Sequence, residues 1–273
     1  MYNKAFTHGG KFHADDVFSA ALLRILNPEI HIERGFRVPE DYDGCVFDIG
    51  GGEFDHHQAD ARIRENGVKY AAFGLLWEKY GVELIGEEEA KRFDEHFIQP
   101  LDQSDNTGSK HMLAEMISRF NPGWNEERDT DEGFLEALDV AEKVLRRYLS
   151  SAKGMTLAKQ LMENAVKTAE NHILILDRFI PWKDQVCKVP DIYYVIFPSM
   201  RGGYNAQAVP ISEETIELRI PFPEAWRGKA KEELVELTGI PDIEFCHASG
   251  FLISAGTLDS IKKACELSMK SRI

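Results

Sequence analysis

The sequence predicts an α/β fold with a mainly parallel sheet flanked by helices, followed by a smaller α+β domain. Three observations carry this expectation. Short apolar runs alternate with helical patterns through about residue 150, as crossover units require. His8, Asp48 and the pair His56–His57 fall at or just after the ends of such runs, where open parallel sheets carry their functional loops. Beyond Asn171 the texture changes to short strands separated by turn residues. The expected domains are therefore 1–152 and 173–273, joined by a helical linker at 153–172. No internal repeat or low-complexity segment is visible.

In order, Lys4–Thr7 is a first strand and His8–Asp16 the loop after it. From Val17 to Leu26, Phe18, Ala21, Leu22 and Ile25 recur at helical spacing, and Asn27-Pro28 stops the helix. Asp15 and Asp16 then sit at the positive end of its dipole. Ile30–Val38 reads as a strand kinked at Gly35, and Val46–Ile49 as the next. Tyr70–Tyr80 is helical with Gly81 as its C-cap, and Glu87–Ile98 is a second helix. Gln99–Gly108 is a turn-rich stretch carrying Asp102 and Asp105. His111–Phe120 is a short helix. A long pattern marked by Phe134, Leu138, Ala141, Leu145 and Tyr148 follows, and a separate helix at Thr156–Glu170 comes after Gly154. In the last third, Ile173–Leu176, Ile192–Phe197, Gln207–Val209 and Glu217–Ile220 read as strands, and Lys229–Leu237 and Leu258–Met269 as helices. Phe245–Phe251 is a strand running into a turn of small residues around His247.

At 273 residues the chain suffices for one large domain or two modest ones, and its 43% hydrophobic and 29% charged residues describe an ordinary globular protein. A formal net charge of -14 argues against tight, nonspecific binding to duplex DNA, yet leaves nucleotides and short strands open as substrates. No run is apolar over the length of a bilayer, and Met1–Phe6 shows no secretory signal, so no membrane partner is expected. Cys45, Cys187, Cys246 and Cys265 lack paired spacing, which points to a reduced, cytoplasmic setting. The oligomeric state stays open, a homodimer included.

The chemistry gathers around Cys45–Gln58. There an apolar run ends on Asp48, glycines 50, 51 and 52 turn the chain, and Asp55, His56 and His57 follow. Adjacent imidazoles rarely serve packing, since neither ring fits an apolar core without partners. The alternatives are a divalent-metal site and solvated loop residues. With His8, His13, Asp15, Asp16, Asp102 and Asp105 the set holds imidazoles and carboxylates but no thiolate, which suits manganese, zinc or magnesium. More than four such groups points to two ions roughly 3.5–4 Å apart, sharing a carboxylate, as in-line phosphoryl displacement uses. Asp48, at a central strand end, is the natural bridge. Without ions these carboxylates would repel one another and raise their own pKa values.

The motifs His8-Gly9-Gly10-Lys11-Phe12-His13-Ala14-Asp15-Asp16, Asp48-Ile49-Gly50-Gly51 and Asp55-His56-His57-Gln58 closely resemble the family of the melanocyte-proliferating-gene protein, a divergent branch of the DHH phosphoesterases. Arg219-Ile220-Pro221-Phe222-Pro223-Glu224-Ala225-Trp226-Arg227-Gly228 and His247-Ala248-Ser249-Gly250-Phe251 extend the resemblance over nearly the whole chain. It implies a DHH-type domain, a DHH-associated domain, an active site between them, a divalent metal, usually manganese, and hydrolysis of phosphodiester bonds. Members of this branch are described as 3′-to-5′ RNA exonucleases. The resemblance places His8, His13, Asp15, Asp48, His56 and Asp105 on the metals, with Asp102 as the alternative to Asp105. It assigns catalysis to Asp48 and to His57 facing the phosphate, with Asp55 orienting a histidine. His13-Ala14-Asp15 stands where the wider superfamily has Asp-x-Asp, which removes one negative charge. His247, Ser249 and Gly250 resemble a phosphate-holding element, where small residues let backbone amides approach closely. Arg201, Arg219 and Arg227 are candidates for phosphate or nucleobase contacts, with ordinary surface pairing as the alternative. His31, His96, His111 and His172 read as structural or surface residues.

The leading expectation is a manganese-dependent 3′-to-5′ exoribonuclease acting on short or single-stranded RNA. The alternatives are a pyrophosphatase or small-phosphoester or cyclic-dinucleotide phosphodiesterase, and a non-catalytic RNA-binding module. The His56–His57 pair and Asp48 argue against the last.

Overall fold

Strand β1 (Lys4–His8) pairs in parallel with both β2 (His31–Gly35) and β3 (Cys45–Val46), giving a three-stranded sheet ordered β2-β1-β3. This computed structural model describes residues 1–271. The chain divides into two compact units, Met1–Lys153 and the residues from Gly154 onward. Helix α1 (Ala14–Leu26) is the crossover from β1 to β2, and every residue from Ala14 to Leu23 is buried. A helix apolar on all sides belongs in a core, and the two aspartates in its first turn are buried with it.

Strand β3 stops at Val46 rather than at the expected Ile49. Asp48 takes a left-handed backbone (φ 55), which few residues but Asp and Asn adopt readily. Its N–H donates to Phe54 O (2.9 Å), and Phe47 bridges in parallel to Phe54. The chain beyond the glycines thus folds back over the strand end.

Helix α2 (Ala72–Ile85) runs through Gly81 and ends at Gly86 (φ 81), so Gly81 is not the cap that the sequence predicts. The indole of Trp77 lies where a Cβ at position 81 would stand, 2.5 Å away, which accounts for that glycine by packing. Helix α3 (Glu87–Phe93), a π turn (Asp94–Ile98) and α4 (Gln99–Thr107) follow without a break. The expected turn at Gln99–Gly108 is therefore a helix. Pro100 stands directly after the π turn, where the hydrogen-bond register passes from i→i−5 to i→i−4, and Gly108 (φ 68) closes the helix. After α5 (Met112–Ser118), α6 (Thr130–Ala165) runs for 36 residues, straight through Gly154. A Cβ at Gly154 would meet nothing, so this glycine costs the helix about 1 kcal/mol in propensity without breaking it.

One buried charge network sits among α2, α3 and α4. The Arg64 guanidinium pairs with Asp94 through two bonds (3.1 and 2.7 Å), lies 2.8 Å from Asp102, and stacks 3.8 Å from the Tyr70 ring centroid. Gly74 on α2 makes room for it. A Cβ there would stand 2.1 Å from Asp102 Oδ2 and 2.6 Å from Arg64 Nη2.

In the second unit a five-stranded sheet has the order β4-β5-β6-β8-β7. Strands β4 (Ile173–Ile175) and β5 (Tyr194–Pro198) are parallel, while β6 (Tyr204–Ala208), β7 (Ile243–Cys246) and β8 (Leu252–Ala255) join antiparallel. Tyr194 and Ile196 face one core with Phe222, Ile253 and Ile261, whereas Val195 and Phe197 face another with Met162 and Trp182. That alternation is the strand period of two. Helices α7 (Lys183–Val186), α8 (Lys231–Thr238) and α9 (Leu258–Lys270) complete the unit. The strand expected at Glu217–Ile220 is reduced to a single bridge between Pro210 and Leu218. Among the described residues no helix is long and apolar enough to cross a membrane, and all four cysteines are free thiols.

Replacing Gly74 by Ala forces the Arg64–Asp102 pair apart or shifts α2, so the free energy of unfolding is expected to fall by about 1–3 kcal/mol. A urea midpoint unchanged from wild type would contradict this.

Candidate metal centre

Asp48 offers one carboxylate oxygen to each side of a buried cluster. Its Oδ1 lies 3.1 Å from His56 Nε2 and its Oδ2 lies 3.3 Å from His8 Nε2. Three sets of side chains bring donor atoms close enough to share an ion: His8, Asp16 and Asp48; Asp15, His56 and Asp105; and Asp48, His56 and His57. The first and third share Asp48, and the second meets the third at His56.

Each side chain is placed by a distinct local device. His8 is the last residue of β1. Asp15 and Asp16 occupy the first turn of α1 but diverge. Asp15 accepts from the backbone N–H groups of Ala72 and Phe73 (2.9 and 2.8 Å), tying the start of α2 to the start of α1. Asp16 Oδ1 accepts from His13 N–H (2.8 Å), while its Oδ2, 3.2 Å from His8 Nε2, is buried without a hydrogen-bond partner. Asp105 lies on α4 with Oδ2 3.4 Å from His56 Nε2. His56 Nδ1 faces Asn106 Oδ1 at 3.4 Å. Asn106 Nδ2 donates to the carbonyls of Tyr70 and Asp102 (3.1 and 2.8 Å), so its amide oxygen points at the ring and Nε2 is left facing the carboxylates. Asp55 accepts from Gly51 N–H (2.7 Å) and lies 2.7 Å from His57 Nδ1, which fixes the exposed His57 ring by its inner edge.

The electrostatics follow from burial. Removal from water, with Asp48, Asp105 and Asp102 nearby, holds the Asp15 carboxyl well above the ordinary aspartate range. Burial likewise pushes Asp16 up to about 7, against the pull of His8, and it raises Asp105. Although burial opposes its charge, His8 rises to about 9 through Asp48 and Asp16. Asp48 stays ionised below the ordinary range despite burial, because His56 and His8 both bond to it. An excess of buried carboxylates over cations, with one orphaned oxygen on Asp16, is a donor set that fits a hard or borderline divalent ion.

Of the residues expected from the sequence, His8, Asp15, Asp48, His56, His57 and Asp105 converge here. His13 does not join the cluster. It is exposed at the N-cap of α1, its ring 6.1 Å from that of His8. Asp102 is turned to Arg64 instead. Asp16, in the candidate donor set of the sequence but expected at the helix start or behind the ligands, stands with His8 and Asp48 here; a second carboxylate in the same first turn is the signal for it. A cleft of about 820 Å³ opens over the cluster, lined also by Lys11, His13, Ser109, Lys110 and His111.

In the second unit, His247 Nδ1 accepts from Ser249 N–H (3.1 Å) and lies 2.9 Å from Ser249 Oγ, which leaves Nε2–H free to donate. Gly250 (φ 72) gives way to Arg227, whose Nε donates to Phe222 O (2.9 Å). Arg219 gives its guanidinium to the carbonyls of Val189, Ile192 and Cys187 (2.5, 2.8 and 2.6 Å), a clamp on that loop. Arg201 is exposed and lines a separate groove with Asn205, Gln207 and Phe245.

Residues 4–269 match the description of Uncharacterised protein family (UPF0160). The MYG1 protein of Schizosaccharomyces pombe is 31% identical, covering 96% of this chain and 97% of its own length. The MYG1 protein of Dictyostelium discoideum is 29% identical over 90% of each chain. The MYG1 exonuclease of Homo sapiens is 29% identical, over 90% of this chain and 80% of its own.

Asp15, Asp16 and Asp105 bind protons more tightly folded than unfolded, so the metal-free native state loses stability as pH rises from about 4 toward 7. His8 acts in the same direction. Its contribution is complete below 6.5 and is lost as pH rises to about 9. Thermal melting of chelator-treated protein should therefore drop between about pH 5 and 8, and added Mn2+ should raise the midpoint more at the upper end. A midpoint and metal shift independent of pH would contradict the buried cluster.

Proposed function

This chain belongs to Uncharacterised protein family (UPF0160) and is similar to proteins named MYG1 exonuclease, and we propose that it is a divalent-metal-dependent hydrolase of phosphodiester bonds. Its substrate is short or single-stranded RNA, trimmed from the 3′ end, and its metal is manganese. The observation that carries this reading is Asp48, whose two oxygens face His8 and His56 on opposite sides. His8, Asp16 and Asp48 would hold one ion, and Asp15, His56 and Asp105 the other, with Asp48 reaching the second set through its contact with His56. Bound there, the ions would supply an acidified water and offset charge on the phosphate oxygens.

The chain's own residues do the rest. Asp55 accepts from His57 Nδ1–H, which directs the other ring nitrogen outward to donate to a non-bridging phosphate oxygen as charge develops there. With an ion bound, Asn106 would accept from His56 Nδ1–H and so leave Nε2 as the ligand atom on the side of the carboxylates. His247 can donate from Nε2 to a terminal phosphate, since Ser249 satisfies its other nitrogen. A net charge of -14 disfavours long duplexes and so agrees with short strands as substrate.

The test is hydrolysis of a labelled RNA pentamer with Mn2+, alongside pyrophosphate. Wild type should release mononucleotides from the 3′ end, and Asp48→Asn should lower kcat on the order of 100-fold or more with the fold intact by circular dichroism. Hydrolysis of pyrophosphate with an untouched pentamer would overturn the exonuclease reading.

A further inference from the structure

The cleft over the carboxylate cluster carries two lysines that the chemistry above does not use. Lys11 lies on the loop between His8 and His13, and Lys110 on the loop between α4 and α5. Both loops are built rather than loose. Phe12 N–H donates to Asn121 Oδ1 (3.0 Å), and Asn121 Nδ2 donates back to Phe12 O (2.9 Å). Arg34 Nη2 donates to Gly10 O (2.8 Å) and Gly9 N–H to Gly35 O (2.8 Å). On the other loop, Ser104 Oγ donates to Ser109 O (2.7 Å) directly after the left-handed Gly108. His13 and His111 line the same cleft, and His111 Nδ1 is buried without a hydrogen-bond partner.

In a protein of net charge -14, a lysine from each of two separate loops lines the cleft that holds the buried carboxylates. Once ions neutralise the buried cluster, the cleft wall keeps the two ammonium groups against the single carboxylate of Glu115, which lines the same cleft. An ammonium on a flexible stem is a point charge that follows a phosphate without reading the base beside it. We infer that Lys11 and Lys110 form a subsite for the phosphate next to the one being cleaved, so the preferred substrate is a chain of at least two phosphodiesters. Recognition there is independent of base. This rests on the hydrolase reading above.

The experiment compares wild type with Lys11→Ala/Lys110→Ala and Lys11→Arg/Lys110→Arg. The substrates are an RNA pentamer and bis(p-nitrophenyl) phosphate, which has one phosphodiester and no neighbour. The alanine pair should raise the pentamer KM by roughly tenfold with kcat little changed, and lower the slope of log KM against log salt by about 1.4. The arginine pair should restore both, and the single diester should be cleaved equally by all three. Unchanged pentamer KM and salt slope in the alanine pair, with wild type active, would overturn the subsite alone. Wild type inactive on both substrates would remove the hydrolase reading and the subsite with it.

Discussion

The first unit depends on keeping several carboxylates buried at the end of one short sheet. Asp15, Asp16, Asp48, Asp55 and Asp102 are all buried, and a buried carboxylate is tolerated only when paired, hydrogen-bonded or protonated. The local architecture is a set of answers to that constraint. Asp15 takes two amides of α2, Asp16 takes the amide of His13, Asp55 takes that of Gly51, and Asp102 takes Arg64. Only around Asp48 do carboxylates outnumber these partners. The unresolved charge is concentrated where a cation can enter.

The same bonds that satisfy the carboxylates also join the elements. The Asp15 side chain fixes the start of α2 against α1, so a residue facing the cluster also sets a helix entry. The left-handed turn at Asp48 stops β3 and lets Phe54 bring the His pair back over the strand end. Asn106 and Asp105 share α4, whose position is in turn held by the Arg64 network through Asp102. Geometry at the centre is thus coupled to helix packing several residues away, as pre-organised sites require.

Much of this was legible in the sequence, and the misses have physical causes. The run ending at Asp48, the glycines, and the His pair announced a site because neither imidazoles nor strand-end carboxylates serve a core. The helix α4 was hidden because Gln99–Gly108 is rich in turn formers, yet Asn106 and Thr107 bond back to their own helix carbonyls. Gly81 and Gly154 look like punctuation in the sequence, whereas one accommodates Trp77 and the other is exposed within a helix. Periodicity cannot tell these cases apart, since packing against a distant ring is not written in local order. Asp16 was obscured by a capping role that it also performs, and Arg219 offers its guanidinium to main-chain carbonyls that no sequence pattern marks.

Asp48, with one oxygen toward His8 and the other toward His56, would join two ion sites. Low-temperature electron paramagnetic resonance of the wild-type protein titrated with Mn2+ tests this. Saturation at two ions per chain with an exchange-coupled spectrum is expected, because a shared carboxylate would hold the ions within exchange-coupling distance. Saturation at a single ion with an uncoupled six-line spectrum would contradict it.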